Sequence, residues 1–148
     1  MRAEVLKACP VVLRRSRSAP NDVEILAFKH PLAGFQLVKG TVEPGETARE
    51  AAVRELGEEA GIAGGGVLGD LGIWQSGFEG QIWSFHRCRV GHELAETWVH
   101  HANDDGGHDF VFFWRRLHEE PGAQWHPLFR SALGFLRAGW ASGSACWR

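Results

Sequence analysis

The sequence predicts an α/β fold in which helices cover a mixed β-sheet. Strand-like segments lie on both sides of one central helix, and a second amphipathic helix follows the last of them. The 148 residues have room for one domain, and 44% apolar with 23% charged residues is an ordinary globular composition. We therefore expect a single domain over residues 1–148, with a tail from about Gly139 that frays because small and polar residues dominate it.

Short strands are predicted before the central helix. Residues 5–13 form an apolar strand pattern that Pro10 interrupts, and residues 14–17 follow it as a basic turn. Two more β-rich runs cover residues 24–29 and 35–39. Such short runs of β-branched, aromatic and other apolar side chains are typical of strands.

The central helix has start and stop signals in the sequence. Proline and glycine at positions 44–45 predict a tight turn, because glycine accepts a positive φ there. The Thr47 hydroxyl can cap a helix N-terminus while Glu50, three residues on, reaches back to it. Gly61 is a typical C-terminal stop, so we expect the helix over Ala48–Ala60.

Further strands and a closing helix are predicted after the central helix. Strand patterns cover residues 67–75, 81–90 and 110–117, and residues 96–102 are either another strand or an excursion. A helix over residues 127–138 should place four apolar side chains on one inward face, namely Leu128, Ala132, Phe135 and Leu136.

Three glutamates on the central helix indicate a metal site. Glu55, Glu58 and Glu59 have i, i+3, i+4 spacing and therefore share one helix face. Each like-charge pair costs about 0.2–0.5 kcal/mol on a bare helix, and only Arg54 offers local relief. A divalent cation would neutralise this cluster directly. Oxygen ligands favour a hard ion, Mg²⁺ or Mn²⁺, over zinc.

The residues before the helix fit chemistry on phosphates. Gly40 lets the backbone approach a substrate closely, and Lys39 places a cation where a phosphate would lie. Magnesium commonly binds one or two carboxylates together with substrate phosphates. The competing interpretation is structural, because acidic residues usually form the solvated face of a helix and lysines are usually surface residues.

The joint spacing of these residues resembles the Nudix box. Gly40 is followed after five residues by Glu46, and after seven more by Arg-Glu-Leu-Gly-Glu-Glu-Ala-Gly-Ile at residues 54–62. Every specified position matches, although the match covers only about a sixth of the chain. The resemblance implies an α/β/α sandwich with a mixed central sheet, in which this loop–helix–loop segment carries the metal.

The same resemblance implies roles for individual residues. Glu58 and Glu59 would be metal ligands, both exposed on the helix surface, and Glu55 would be a further ligand or the general base. Arg54 would orient a glutamate. The carbonyl of Lys39, just before the box, is a candidate backbone ligand.

Two features of the family pattern differ or stay open. Members that cleave dinucleoside polyphosphates or RNA 5′ ends often have Pro-Lys-Gly entering the box, where this chain has Val-Lys-Gly at 38–40. Many members also supply one more carboxylate from a later loop. Asp104 and Asp105 are the candidates here, with Asp109 and Glu96 as alternatives, and a plain solvated loop is the competing interpretation.

Aromatic residues and histidines offer further candidate contacts. Four aromatic residues could stack on a nucleobase or simply fill the core: Trp74, Phe78, Trp83 and Phe85. Three histidines could bind a transition metal or belong to a polar loop: His100, His101 and His108.

The function these observations predict is Mg²⁺- or Mn²⁺-dependent hydrolysis of the diphosphate linkage in a small nucleoside diphosphate derivative, by metal-activated water. The alternative is a catalytically silent domain of the same family that binds or senses a nucleotide. A net charge of −2 and a pI near 6.4 argue against a protein that coats long nucleic acid. No apolar stretch is long enough for a membrane span. Three cysteines without a CxxC pair favour a reducing cytoplasm, while the exact substrate and the oligomeric state, including a homodimer, stay open.

Overall fold

Two β-sheets form the middle layer of the computed structural model, which describes residues 4–103 and 106–147. The first sheet has the strand order β5–β1–β7–β6. Its strands are β1 (Val5–Val11), β5 (Gly40–Thr41), β6 (Gly66–Gln75) and β7 (Gln81–Arg89). Because β1 runs parallel to β7 while the other pairs are antiparallel, this sheet is mixed.

The second sheet is antiparallel throughout. Its strands are β2 (Leu13–Arg15), β3 (Val23–His30), β4 (Gly34–Gln36), β8 (Trp98–Ala102) and β9 (His108–Arg116). The order is β2–β3–β9–β8. Strand β4 pairs with the C-terminal half of β3, whereas β2 pairs with its N-terminal half. The chain leaves this sheet after β4 and enters the first sheet at β5, so the residues around position 39 bridge the two sheets.

Two helices cover the opposite faces of the sheet layer. Helix α1 (Ala48–Ala60) buries alanine and leucine side chains in a core that includes Phe28 and Phe112. Helix α2 (Pro127–Ala141) buries its apolar stripe in the other core, around Trp83 and Phe85. The predicted α/β/α sandwich with a mixed sheet is therefore confirmed. None of the described helices is long and apolar enough to cross a bilayer.

Several element boundaries differ from the prediction. Strand β1 continues through Pro10, which pairs with His86. Strand β5 pairs only with Lys7 and Ala8, so no described strand pairs with Pro10 on that side of β1, and the missing N–H disrupts no ladder there. The predicted strand over residues 35–39 is shortened to β4. The ambiguous segment 96–102 does contain a strand, which begins at Trp98.

The C-terminal tail, which was expected to fray, packs against the fold as far as Trp147. Helix α2 continues to Ala141, and a 3-10 helix, Ala145–Trp147, follows it. The Trp147 side chain is only 2% exposed and meets the Trp140 ring edge-on at 5.9 Å. Burial of one indole outweighs the small polar residues around it, since a large aromatic side chain contributes about 1.5–3 kcal/mol when buried.

The inward face of α2 is also shifted from the prediction. Its buried side chains are Phe129, Ala132, Leu133 and Leu136. Leu128 and Phe135 pack against the same core but stay partly exposed. The predicted stripe was therefore correct at Ala132 and Leu136, whereas Phe129 and Leu133 are buried in place of Leu128 and Phe135.

Candidate functional site

The predicted turn and caps define both ends of α1. Gly45 has φ of +80°, as the tight turn requires. The Thr47 hydroxyl accepts a hydrogen bond from the Glu50 backbone N–H at 3.1 Å, and the Glu50 carboxylate accepts one from the Thr47 N–H at 2.9 Å. Gly61 ends the helix in the left-handed region. This local geometry determines which residues of α1 face the sheets and which face the cleft beside them.

Arg54 connects an acidic residue that precedes α1 with two acidic residues on the helix itself. Its guanidinium donates two hydrogen bonds to the Glu46 carboxylate, at 2.8 and 2.9 Å. It also donates to Glu55 at 2.7 Å, to Glu58 at 3.1 Å and to the Thr41 carbonyl at 3.0 Å. The hydrogen bond to Glu46 is the main reason that the pKa of Arg54 is raised, and the same bond lowers the pKa of Glu46. Arg54 therefore relieves the carboxylate repulsion expected from the sequence.

The three helix glutamates line one cleft but differ in exposure. Glu55 and Glu59 are buried, at 5% and 8% exposure, whereas the Glu58 side chain is 52% exposed. The predicted common face is therefore present, but the expectation that Glu59 is exposed is wrong. Glu59 lies on the side of α1 that turns toward the sheets, where Ala52 and Leu56 are also buried.

Gly40 forms a cradle for the carboxylate of Glu55. A β-carbon at position 40 would overlap the carboxylate carbon and both oxygens of Glu55. Gly40 is the first residue of β5, which pairs with β1, so the sheet holds this backbone in place. Only glycine permits this close approach between strand and helix side chain.

Lysine side chains meet the cleft in two different ways. Lys39 lines the cleft, and its ammonium lies 5.4 Å from the ring centre of Trp83 and 5.9 Å from that of Phe129. Burial, together with the charge of Lys7, lowers the pKa of Lys39. Lys7 lines the same cleft and donates a hydrogen bond to the Thr41 hydroxyl at 2.7 Å. Sequence reasoning missed Lys7, because its place beside Thr41 depends on strand pairing across 34 residues.

The cleft has a volume of about 900 Å³ and an aromatic wall on the second sheet. Phe28 stacks on Phe110 with ring centres 4.3 Å apart, and His30 lies 4.8 Å from His108. Of the three predicted histidines, only His108 lines this cleft. His100 contacts the Glu58 carbonyl at 3.0 Å, and His101 contacts Asp109 at 2.8 Å.

The four aromatic residues considered for base stacking lie outside this cleft. Trp83 and Phe85 are fully buried in the core under α2, and Trp74 packs against them. Phe78 is 40% exposed in the turn between β6 and β7. The core-packing interpretation is therefore correct for three of them.

The later carboxylate is not assigned by the structure. Asp104 and Asp105 lie outside the described residues. Glu96, the weakest alternative, is held by Arg14 and Arg17 at 2.7 and 2.6 Å. Asp109 is bound to a histidine on β8. The carboxylates of Glu96 and Asp109 are therefore each bound to a basic side chain of the fold.

The donor chemistry of the cleft fits a magnesium-type ion. Within residues 4–103 and 106–147, no three histidine, cysteine or acidic side chains are already arranged as a metal cage. Magnesium does not need such a cage, because it keeps several waters and commonly takes one or two carboxylates. The Glu55 carboxylate, which lies against the backbone of Gly40, is one such candidate ligand. The thiols of Cys9 and Cys88 are buried, and burial raises their pKa, to about 11 for Cys88, so both stay protonated and are poor metal ligands.

Comparisons with known proteins agree with this geometry. The family model for the NUDIX domain matches residues 8–133. The fold is similar to that of an ADP-ribose pyrophosphatase from Streptococcus suis, with TM-score 0.68 and 15% identity over 99% of this chain and 97% of that one. It is also similar to the E. coli ORF135 protein, with TM-score 0.66 and 23% identity over 97% and 96% of the two chains. A UDP-X diphosphatase matches with TM-score 0.64 and 10% identity over 97% of this chain and 66% of that chain. A search of the curated proteins finds no significant match.

Proposed function

This chain belongs to the Nudix family of hydrolases, and from that premise we propose that it cleaves the diphosphate linkage of a nucleoside diphosphate derivative with Mg²⁺ as cofactor. The observation that carries the proposal is the set of hydrogen bonds that Arg54 donates to three glutamates. One guanidinium gathers Glu46, Glu55 and Glu58 at the edge of a cleft that the Lys7 side chain also lines. Anionic and cationic groups in one cleft suit the binding of a metal ion together with a diphosphate.

The residue roles are those that the family resemblance implies. Glu58 and Glu59 would hold the cation, together with the Lys39 carbonyl. When bound, Mg²⁺ neutralises phosphate charge and makes a coordinated water more acidic. Glu55, buried against Gly40, either joins the ligand set or accepts a proton from the attacking water.

Arg54 and Lys7 act on different partners. Arg54 keeps the carboxylates of Glu55 and Glu58 in one orientation, so that little reorganisation is required when a cation enters. Lys7, with its ammonium exposed on the cleft wall, would bind the substrate phosphates. The same role stays a prediction for Lys39, which also lines the cleft and whose ammonium lies 5.4 Å from the ring centre of Trp83.

The cleft volume supports a small substrate. About 900 Å³ lies at the upper end of the range for pockets that enclose small ligands, roughly 300–1,000 Å³. Two structural relatives carry names that refer to ADP-ribose and to a UDP derivative, both nucleoside diphosphates joined to a second group. We therefore expect a nucleoside diphosphate derivative of this kind.

A metal add-back assay on a substrate panel tests the proposal. EDTA-stripped protein is offered nucleotide sugars, ADP-ribose, dinucleoside polyphosphates and oxidised deoxynucleotides, and the products are resolved by chromatography. We expect cleavage only after addition of Mg²⁺ or Mn²⁺, with Zn²⁺ a poor substitute because the proposed ligands are oxygen atoms. Full activity after verified metal removal would contradict the mechanism.

A binding measurement separates an enzyme from a silent binder. Mg²⁺ should raise the melting temperature of the wild-type protein and have a smaller effect on the Glu58→Gln/Glu59→Gln double variant, since a ligand that binds only the folded state stabilises it. A clear Mg²⁺ shift without cleavage of any panel member would instead support the nucleotide-sensing alternative.

A further inference from the structure

A second cavity lies at the opposite end of the strands from the glutamate cleft. Its volume is about 640 Å³. Along β3, His30 at the last position lines the cleft, while Val23 at the first position lines this cavity. The two positions are seven residue steps apart along the strand, a distance of roughly 20 Å. A ligand in the second cavity would therefore be remote from the helix glutamates.

Arginine side chains make this cavity cationic. Arg15, at the end of β2, and Arg87, on β7, both line it, and neither forms an ion pair with a described residue. Arg14 also lines it but is already bound to Glu24 and Glu96, at 2.6 and 2.7 Å. The basic turn noted in the sequence is therefore only partly explained by ion pairs within the fold.

The acidic group in the lining is also committed elsewhere. Asp22 accepts hydrogen bonds from the Val23 N–H at 2.7 Å and contacts the His118 imidazole at 2.6 Å. Its carboxylate is thus engaged at the edge of the cavity. The two guanidiniums of Arg15 and Arg87 are available to an external anion.

Two indoles complete the lining. Trp140, near the end of α2, is partly buried, and Trp147, in the 3-10 helix, is almost fully buried. Their rings meet edge-on at 5.9 Å. Trp140 therefore supplies the aromatic surface that a ligand in the cavity can reach, beside the guanidiniums of Arg15 and Arg87.

We propose that this arginine–tryptophan pocket is a second nucleotide site that binds a nucleoside monophosphate. A guanidinium binds a phosphate through two parallel N–H donors, and the face of an indole can stack on any nucleobase. The volume falls within the range of pockets for ligands of this size, roughly 300–1,000 Å³. The pocket uses no residue of the glutamate cleft, so the proposal does not depend on the function proposed above.

Calorimetric titration of the metal-stripped full chain with AMP tests the proposal. We expect saturable binding that is stronger for AMP than for adenosine, ribose 5-phosphate or inorganic phosphate, because both halves of the pocket contribute. The Arg15→Gln/Arg87→Gln variant should weaken AMP binding about tenfold or more. The matched control is Arg89→Gln/Arg130→Gln, which removes two exposed arginines outside the pocket and should leave the affinity unchanged.

A crossed variant separates this pocket from the cleft. Lys7→Met alters the glutamate cleft and should leave AMP affinity at the distal pocket unchanged. Loss of AMP binding in Lys7→Met with retention in Arg15→Gln/Arg87→Gln would place the nucleotide in the cleft and overturn the proposal. Absence of saturable binding at millimolar AMP, or equal affinity for phosphate alone, would also overturn it.

An NMR readout covers the case in which the double variant does not fold. AMP should shift the indole N–H resonance of Trp140 in the wild-type protein, with the resonance assigned from its loss in Trp140→Phe. An unshifted Trp140 resonance under saturating AMP contradicts the proposal.

Discussion

The carboxylate of Glu55 lies in the space that a β-carbon at Gly40 would occupy. The Gly40→Ala variant must therefore move this carboxylate, which lies at the end of a flexible side chain. We expect kcat to fall about 10²-fold, since a displacement of about 1 Å in a catalytic group has an effect of this size. Steady-state kinetics on the best panel substrate measure it. The melting temperature should change little by comparison, because the group that moves is a side-chain terminus.

The matched control for this variant is Gly91→Ala. A β-carbon at Gly91 meets no atom within 4 Å. Its kinetics should equal those of the wild type. Wild-type kcat in Gly40→Ala would show that the position of the Glu55 carboxylate does not matter for turnover.

Helix α1 could be predicted to the residue because its signals are local. The hydrogen bonds that start it join Thr47 and Glu50, and the glycine that ends it directly follows the last helical residue. The Nudix box spacing lies on the same continuous segment. Carboxylates on one helix face can therefore be read from residue numbers alone.

Features that depend on distant contacts could not be predicted in this way. Lys7 reaches the site because β1 pairs with β5, and no local pattern encodes that register. The exposure of Glu59 depends on how α1 is rotated on the sheets. The burial of Trp147 depends on α2 and on β6, where Gly69 leaves room beside Cys146. To predict any of these three features, one must know which helices and strands become neighbours in the fold.

Replacement of the proposed metal ligands should reduce turnover without unfolding the protein. We expect Glu58→Gln and Glu59→Gln each to lower kcat about 10²-fold or more, because an amide is a poor ligand for the cation. Glu58→Gln should leave the melting temperature nearly unchanged, as its side chain is half exposed, whereas buried Glu59 should respond more. Kinetics and thermal melts measure both effects. Glu93→Gln, with an 88% exposed side chain, is the control, and near wild-type activity in both ligand variants would refute the metal assignment.

Lys7 should contribute to substrate binding more than to the chemical step. We expect Lys7→Met to raise KM about tenfold with a smaller change in kcat, since a lost charge-assisted hydrogen bond contributes roughly 1.5–3 kcal/mol. The control is Lys29→Met, which makes the same change at an exposed lysine outside the cleft lining. Equal kinetic effects of the two substitutions would mean that Lys7 acts only through overall charge. An unchanged KM in Lys7→Met would remove it from the substrate site.

The connection between β8 and β9 carries the proposed additional carboxylate. It leads directly to His108, which lines the cleft. We expect Asp104→Asn/Asp105→Asn to lower kcat while the melting temperature stays within a few degrees, because asparagine keeps the size and shape of aspartate and removes only its charge. Glu96→Gln is the control, since Arg14 and Arg17 already hold that carboxylate. If kcat stays at the wild-type value, neither aspartate completes the site.

A hydrogen-bonded chain ties the start of α1 to the first sheet and makes stability depend on pH. Arg49 on α1 binds Asp70 on β6 at 2.9 and 3.0 Å. Asp70 contacts the His86 imidazole at 2.7 Å, and the other ring nitrogen of His86 contacts the Ser84 hydroxyl at 2.8 Å. The hydrogen bond from Arg49 is the main cause that lowers the pKa of Asp70, and His86 adds to it.

The lowered pKa of Asp70 predicts how the effect of Asp70→Asn on stability should change with pH. A carboxyl whose pKa is lower in the folded state stabilises the fold above its unfolded pKa of about 3.9, and this contribution disappears as pH falls through the folded value. We expect Asp70→Asn to lower the melting temperature by a few degrees near pH 7 and by less near pH 3, as measured by thermal melts across that range. The control is Asp109→Asn, which removes an exposed carboxylate bound to the exposed His101 and should have a smaller effect at both pH values. A destabilisation by Asp70→Asn that is equal at both ends of the range would show that the charge on Asp70 contributes nothing to holding α1 against the sheet.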